Sequence, residues 1–167
     1  MKLYYGKYRG TVKNNIDPEV RGRLLVNVPA VMGMTAMTWA LPCFPYAGQL
    51  AGSFMVPPIN AAVWVEFEGG NPKSPIWVGG FYGLGQAPPM ALAAPPGTQE
   101  FVVQTTLQNT LSIKDVPGPT GGIMLMSKTA FISVSDLGIV MQDGKGGIFT
   151  MTSGIVSVNP PNLVVAK

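Results

Sequence analysis

The sequence predicts an all-β protein in two parts: a small closed barrel, then a β-needle that is complete only as a multimer. Three observations carry this reading. Short runs of β-branched and aromatic residues recur along the chain, separated by Gly, Pro, Asn and Asp. No helix-period segment with capping signals interrupts them. Charged residues are 11% of the 167, against ~25% in ordinary soluble domains, so large apolar faces are expected to meet other subunits.

The barrel is assigned to residues 1–85. YRGTVK, GRLLVNV, AVWVEFE and PIWVGGFY are its strands, with TWALPCF and SFMV as weaker ones, five or six in all. In AVWVEFE, Val63, Val65 and Phe67 alternate with Trp64, Glu66 and Glu68, the pattern of a strand with one buried face. NNIDPEVRG joins the first two strands, with Asp17-Pro18 opening a turn and Gly22 free to take a positive φ. Closure into a barrel removes the sheet edges.

QAPPMALAAPPGTQE, residues 86–100, has four prolines and no charge before Glu100, and reads as an extended connector lying against protein. Beyond it, residues 101–167 hold seven short runs: TLSIK, GIMLMS, FISVS, GIVMQ, IFTMT, IVSVN and NLVVA. One such chain cannot bury both its apolar faces and its backbone edges, so interlocked ladders with other copies around an axis are expected. Ser133, Thr150, Thr152 and Ser157 are assigned to the outside and the turns. Pro160 and Pro161 are expected to stop ladder pairing near the end of the needle.

Several function classes are excluded or weakened. From Leu24 to Val65 there is no charge, but five prolines break any spanning helix. The start of the chain has no apolar leader, which argues against a signal peptide. The lone Cys43 rules out an internal disulfide and reads as a small buried hydrophobe. There is no histidine, which removes most zinc sites and His-based catalysis. The net charge of +3 resides in residues 1–85, and the second half is balanced.

An ordered set of blocks carries a family resemblance over about half the chain. Gly10 and Val12, then Asp17 to Arg23, then Trp39 to Pro42, then Pro57 to Pro75 follow one pattern. It resembles the N-terminal OB-fold of the central spike proteins of contractile tails. These are the baseplate assembly protein V and hub spikes of phages, and the valine–glycine repeat spike of type VI secretion. The second half is similar to the trimeric β-helix or β-prism needle of that family by repeat style alone. The resemblance implies a homotrimer in a virion tail baseplate or injection particle, assembled in the bacterial cytoplasm and making transient contact with a target envelope. It also implies a separate hub protein at the barrel end, because the barrel begins so near Met1. Lacking histidine for a metal tip, the chain is expected to carry a small conical tip protein. No catalytic, metal or cofactor site is implied, and the 15-residue connector has no room for a lysozyme domain.

Candidate sites follow from that reading. Asp17, Arg21 and Arg23 are a possible hub-contact patch, or equally a turn held by an Asx-type bond. Leu163, Val164 and Val165 are a possible plate for the tip protein. Glu66 and Glu68 share a strand face and read as a solvated surface rather than a glycosidase pair. GGFYGLG lacks the Lys-Ser/Thr ending of a phosphate loop, and QDGKGG reads as a hairpin turn. The rival reading is a single-stranded nucleic-acid-binding OB-fold using Tyr4, Tyr5, Lys7, Tyr8 and Arg9. A net +3 is weak for tracking a phosphate backbone.

Overall fold

Valines placed on alternate positions build the inside of the first unit. In a computed structural model describing residues 2–160 and 162–165, the chain divides into two compact units, Met1–Gln86 and Ala87–Lys167. Five strands close the first: β1 (Tyr8–Asn14), β2 (Leu24–Asn27), β3 (Thr38–Pro42), β6 (Ala62–Phe67) and β7 (Pro75–Gly80). Their order around the barrel is β1-β2-β3-β7-β6, with β3 and β7 parallel and the other pairs antiparallel. Register shifts between Val12 and Asn14 and between Trp64 and Val65 supply the local bends that help a small sheet to close. A helical turn, α1 (Pro29–Met32), follows β2, and the two-residue strands β4 (Ala47–Gly48) and β5 (Ala51–Gly52) form a separate hairpin.

Val12, Leu24, Val26, Val28, Ala40, Val63 and Val65 are fully buried, with Phe67 and Trp77 completing the core. Each large aliphatic side chain buried this way contributes about 1.5–3 kcal/mol. Gly22 is fixed by its surroundings: φ is +78°, and a Cβ would lie 2.8 Å from the Phe44 ring. Its carbonyl accepts the Trp77 indole N–H at 3.0 Å, which ties the β1–β2 turn to the core.

Two expectations for this unit are corrected. SFMV is not a strand: the Ser53 N–H donates to the Tyr46 carbonyl below the small hairpin, and Phe54 leans on Phe44 at 5.5 Å between ring centres. Cys43 is exposed, not buried. Alternation after β3 turns Phe44 inward against Trp77, which leaves the preceding thiol outside.

The second unit starts with a helical turn, α2 (Pro89–Leu92), so the connector is not extended throughout. Eight strands follow among the described residues, one more than expected: β8 (Glu100–Gln104), β9 (Thr110–Lys114), β10 (Gly122–Ser127), β11 (Ala130–Ser135), β12 (Gly138–Gln142), β13 (Ile148–Thr152), β14 (Ile155–Val158) and β15 (Leu163–Val165). The additional strand is β8, whose Phe101 and Val103 alternate with polar ends just past the prolines. The eight form one antiparallel meander in sequence order. Its described ladders therefore join consecutive strands of one chain, where ladders between chains were expected. Short turns enforce this. Ser153 and Gly154, at φ 52° and 79°, meet the two-residue requirement of a type I′ hairpin. Pairing also resumes beyond Pro160: Leu163 lies opposite Val158 and Val165 opposite Val156. The expected stop at Pro161 concerns a residue outside those described.

Candidate functional site

Directly opposed residues of an antiparallel pair share a face, so the register of the meander defines two columns. One runs Phe101, Ile113, Ile123, Val134, Ile139, Met151, Val156, Val165. The other runs Val103, Leu111, Leu125, Ile132, Met141, Phe149, Val158, Leu163. Every member is apolar and none is buried in a single chain. Leu125 is 51% exposed, Phe101 54% and Ile123 47%. An uncharged apolar face of this extent stays wet in a single chain, which favours its burial against another surface.

The other face differs in chemistry. Its middle column runs Val102, Ser112, Met124, Ser133, Val140, Thr150, Ser157. Small hydroxyl residues sit among larger ones, and Ser112, Ser133 and Ser157 are already buried within the chain. Thr150 Oγ1 and Ser157 Oγ hydrogen-bond across β13 and β14 at 2.6 Å. Hydroxyls satisfied this way tolerate burial beneath their larger neighbours, and Ser133 and Ser157, expected on the outside, are in fact covered within the chain. In the β12–β13 turn, Asp143 accepts the N–H groups of Lys145 and Gly147 at 2.7 and 2.9 Å, and these bonds hold its carboxyl below the usual range.

At the barrel, the side chains of Asp17 and Arg23 are brought together, while Arg21 meets Asp17 through its backbone N–H alone. The Asp17 side chain is 4% exposed and accepts the backbone N–H groups of Glu19, Arg21 and Arg23. Arg23 donates to Asp17 Oδ1 through Nε at 2.9 Å and Nη2 at 2.8 Å, and its guanidinium lies 5.3 Å from the centre of the Trp39 ring. The Arg23 bond, followed by the backbone donors against a burial effect, holds the Asp17 carboxyl far below its ordinary value of 3.8. The pair is occupied in shaping the turn. What the turn presents outward is Arg21, paired with Glu19 at 3.1 Å, together with the exposed Ile16 and Val20.

The remaining candidates are placed as follows. Glu66 pairs with Lys7, while Glu68 has left the strand for a 3₁₀ turn, Glu68–Gly70, so the two carboxylates do not share a strand face. Tyr4 and Tyr8 pack on Phe67, and Arg9 lies over Trp64 and Phe81 at 5.7 and 5.5 Å. Tyr5 alone of that aromatic group is widely exposed. Leu163 and Val165 end the two apolar columns and are exposed; the Val164 side chain lies outside the described residues. No group of His, Cys, Asp or Glu able to hold a metal ion occurs among the described residues, nor does a helix long and apolar enough to cross a membrane. Sequence reasoning found seven of the eight described strands of the needle but not the face they share; the hairpin registers were the missing signal.

Comparison with known proteins finds two family models in this chain. The type VI secretion system/phage-baseplate injector OB domain matches residues 8–82. The phage baseplate V C-terminal trimerisation domain matches residues 100–164. No match was found among curated proteins.

Proposed function

Because the chain belongs to the phage-baseplate V family, whose paired OB and trimerisation domains span most of it, we propose that it is the homotrimeric central spike of a contractile tail or injection machine. The observation that carries this reading is the two-column apolar face. Three copies around an axis bury it and turn the hydroxyl-bearing face outward, giving a β-prism. Eight strands at ~4.8 Å spacing make a needle about 34 Å long. Because each chain's ladders are its own, contact between copies is by side-chain packing rather than by shared strands.

The role is mechanical, not catalytic. Sheath contraction drives a tube whose front is the needle, and the needle concentrates that force on a small area of cell envelope. A separate hub protein docks at the barrel end, and the β1–β2 turn contributes to that contact. Arg21 is its exposed charge, while Asp17 and Arg23 hold its shape. A small conical tip protein covers the last rung at Leu163, Val164 and Val165. The particle is a virion baseplate or a related injection device, assembled in the bacterial cytoplasm. The nucleic-acid reading is the weaker one: of its five residues, Tyr4 and Tyr8 pack on Phe67, and Lys7, though exposed, is paired with Glu66.

Truncation tests the proposal. A chain ending at Glu100 lacks the apolar face and should be monomeric by light scattering where the full chain is trimeric. A truncated chain that remains trimeric would place the assembly surface in the barrel.

A further inference from the structure

Lys114, the last residue of β9, has a side chain only 4% exposed. A buried ammonium group requires acceptors, and two are in place. The Lys114 Nζ donates to the Met90 carbonyl in α2, and it lies 3.5 Å from Glu100 Oε2 at the start of β8. Met90 is held at its other backbone group as well: its N–H donates to Gln104 Oε1 at 3.4 Å, and Gln104 Nε2 donates to Thr110 Oγ1 at 2.9 Å. Thr110, Ser112 and Lys114, the β9 residues opposite the apolar columns, are all buried in a single chain. Farther along the same face, Met124 and Val140 are only partly covered.

The position of this contact matters mechanically. β8 is an edge strand, paired on one side only. Glu100 and Lys114 are register partners on the rung where the chain enters the sheet. Tension arriving along the connector would begin to open the β8–β9 ladder at that rung, and peeling breaks its bonds one at a time. We propose that residues 88–92 are a strap, pinned by Lys114 and Gln104, that passes tension from the connector directly to β9 and prevents β8 from being peeled off the sheet. This rests on the reading of the chain as a spike that transmits force. Pro88 and Pro89 stiffen the strap at the start of α2, and Pro95 and Pro96 stiffen the stretch that leads from it to β8.

The test uses the full-length protein and two variants, Lys114→Met and Gln104→Leu, each first checked by light scattering. If the wild type itself is not a trimer, the spike reading fails and the strap's mechanical role with it, while the exchange below still decides whether the strap is pinned. Hydrogen exchange is then followed at Ala91 and Leu92, whose N–H groups donate to the Pro88 carbonyl. Lys114→Met should raise exchange there by ~10-fold or more, with amides of β12 and β13 unchanged. Pulling single molecules from both ends should show an added early extension in that variant, at lower force than the first event of the wild type. Gln104→Leu should give a smaller change in the same direction, and it decides the matter if Lys114→Met does not fold. Unchanged exchange at Ala91 and Leu92 would overturn the strap. Faster exchange with an unchanged first rupture force would overturn its mechanical role.

Discussion

Replacing Leu125 tests which face of the meander is turned inward. Leu125 lies between Leu111 and Ile132 on the apolar face and is 51% exposed in a single chain. Full burial of a leucine side chain is worth about 1.5–3 kcal/mol, so roughly half of that, ~1 kcal/mol, remains to be gained from the other copies. Leu125→Ala should therefore weaken the trimer by about 3 kcal/mol over three chains, before any cavity cost. That is on the order of 100-fold in the association constant. Leu125→Asp should do more, because three carboxylates would be buried near one axis without partners. The control is the adjacent residue: Met124→Asp puts the same charge on the opposite face, between Ser112 and Ser133. Sedimentation equilibrium over a range of concentrations should show Leu125→Asp dissociated at micromolar protein and Met124→Asp still trimeric. The reverse ranking would refute the assignment of the inward face.

Two other expectations concern the barrel. The Asp17 carboxyl titrates below its ordinary value, so its stabilising effect is present above that value and is lost as pH falls toward the folded pKa. Asp17→Asn should lower the thermal midpoint at neutral pH, followed through Trp39, Trp64 and Trp77, all of which lie in the barrel. The gap from wild type should narrow below about pH 4, and a gap that does not change with pH would contradict the bonding described. A thymine oligonucleotide should show no binding at physiological salt; micromolar, salt-sensitive binding lost in Arg9→Ala and Tyr8→Ala would revive the nucleic-acid reading.

The barrel was more legible in sequence than the needle, for a physical reason. β6 has one face in a core and one outside, so Val63, Val65 and Phe67 stand out against Trp64 and Glu66. β10 has apolar residues on both faces, Ile123 and Leu125 on one and Met124 and Met126 on the other. Alternation is therefore silent there, and only the two-residue turns at 128–129, 136–137 and 153–154 set which side each residue takes. β8 was missed because its alternation covers only five residues after a proline-rich stretch. The grip of Asp17 on Arg23 spans six residues of irregular turn, and that of Lys114 on Met90 spans 24, so no local pattern announces either. The hub-contact expectation named three residues for their charge. Two of them prove to be committed to one another, leaving the exposed apolar residues Ile16 and Val20 as neighbours of Arg21 on the outside of the turn.

In the proposed spike the apolar face is covered by two further copies of the same chain. The absolute mass of the full-length protein, measured by light scattering coupled to size exclusion, tests this directly. The predicted value is three times 17.6 kDa, unchanged on dilution to low micromolar protein. A stable, soluble species of 17.6 kDa would contradict it.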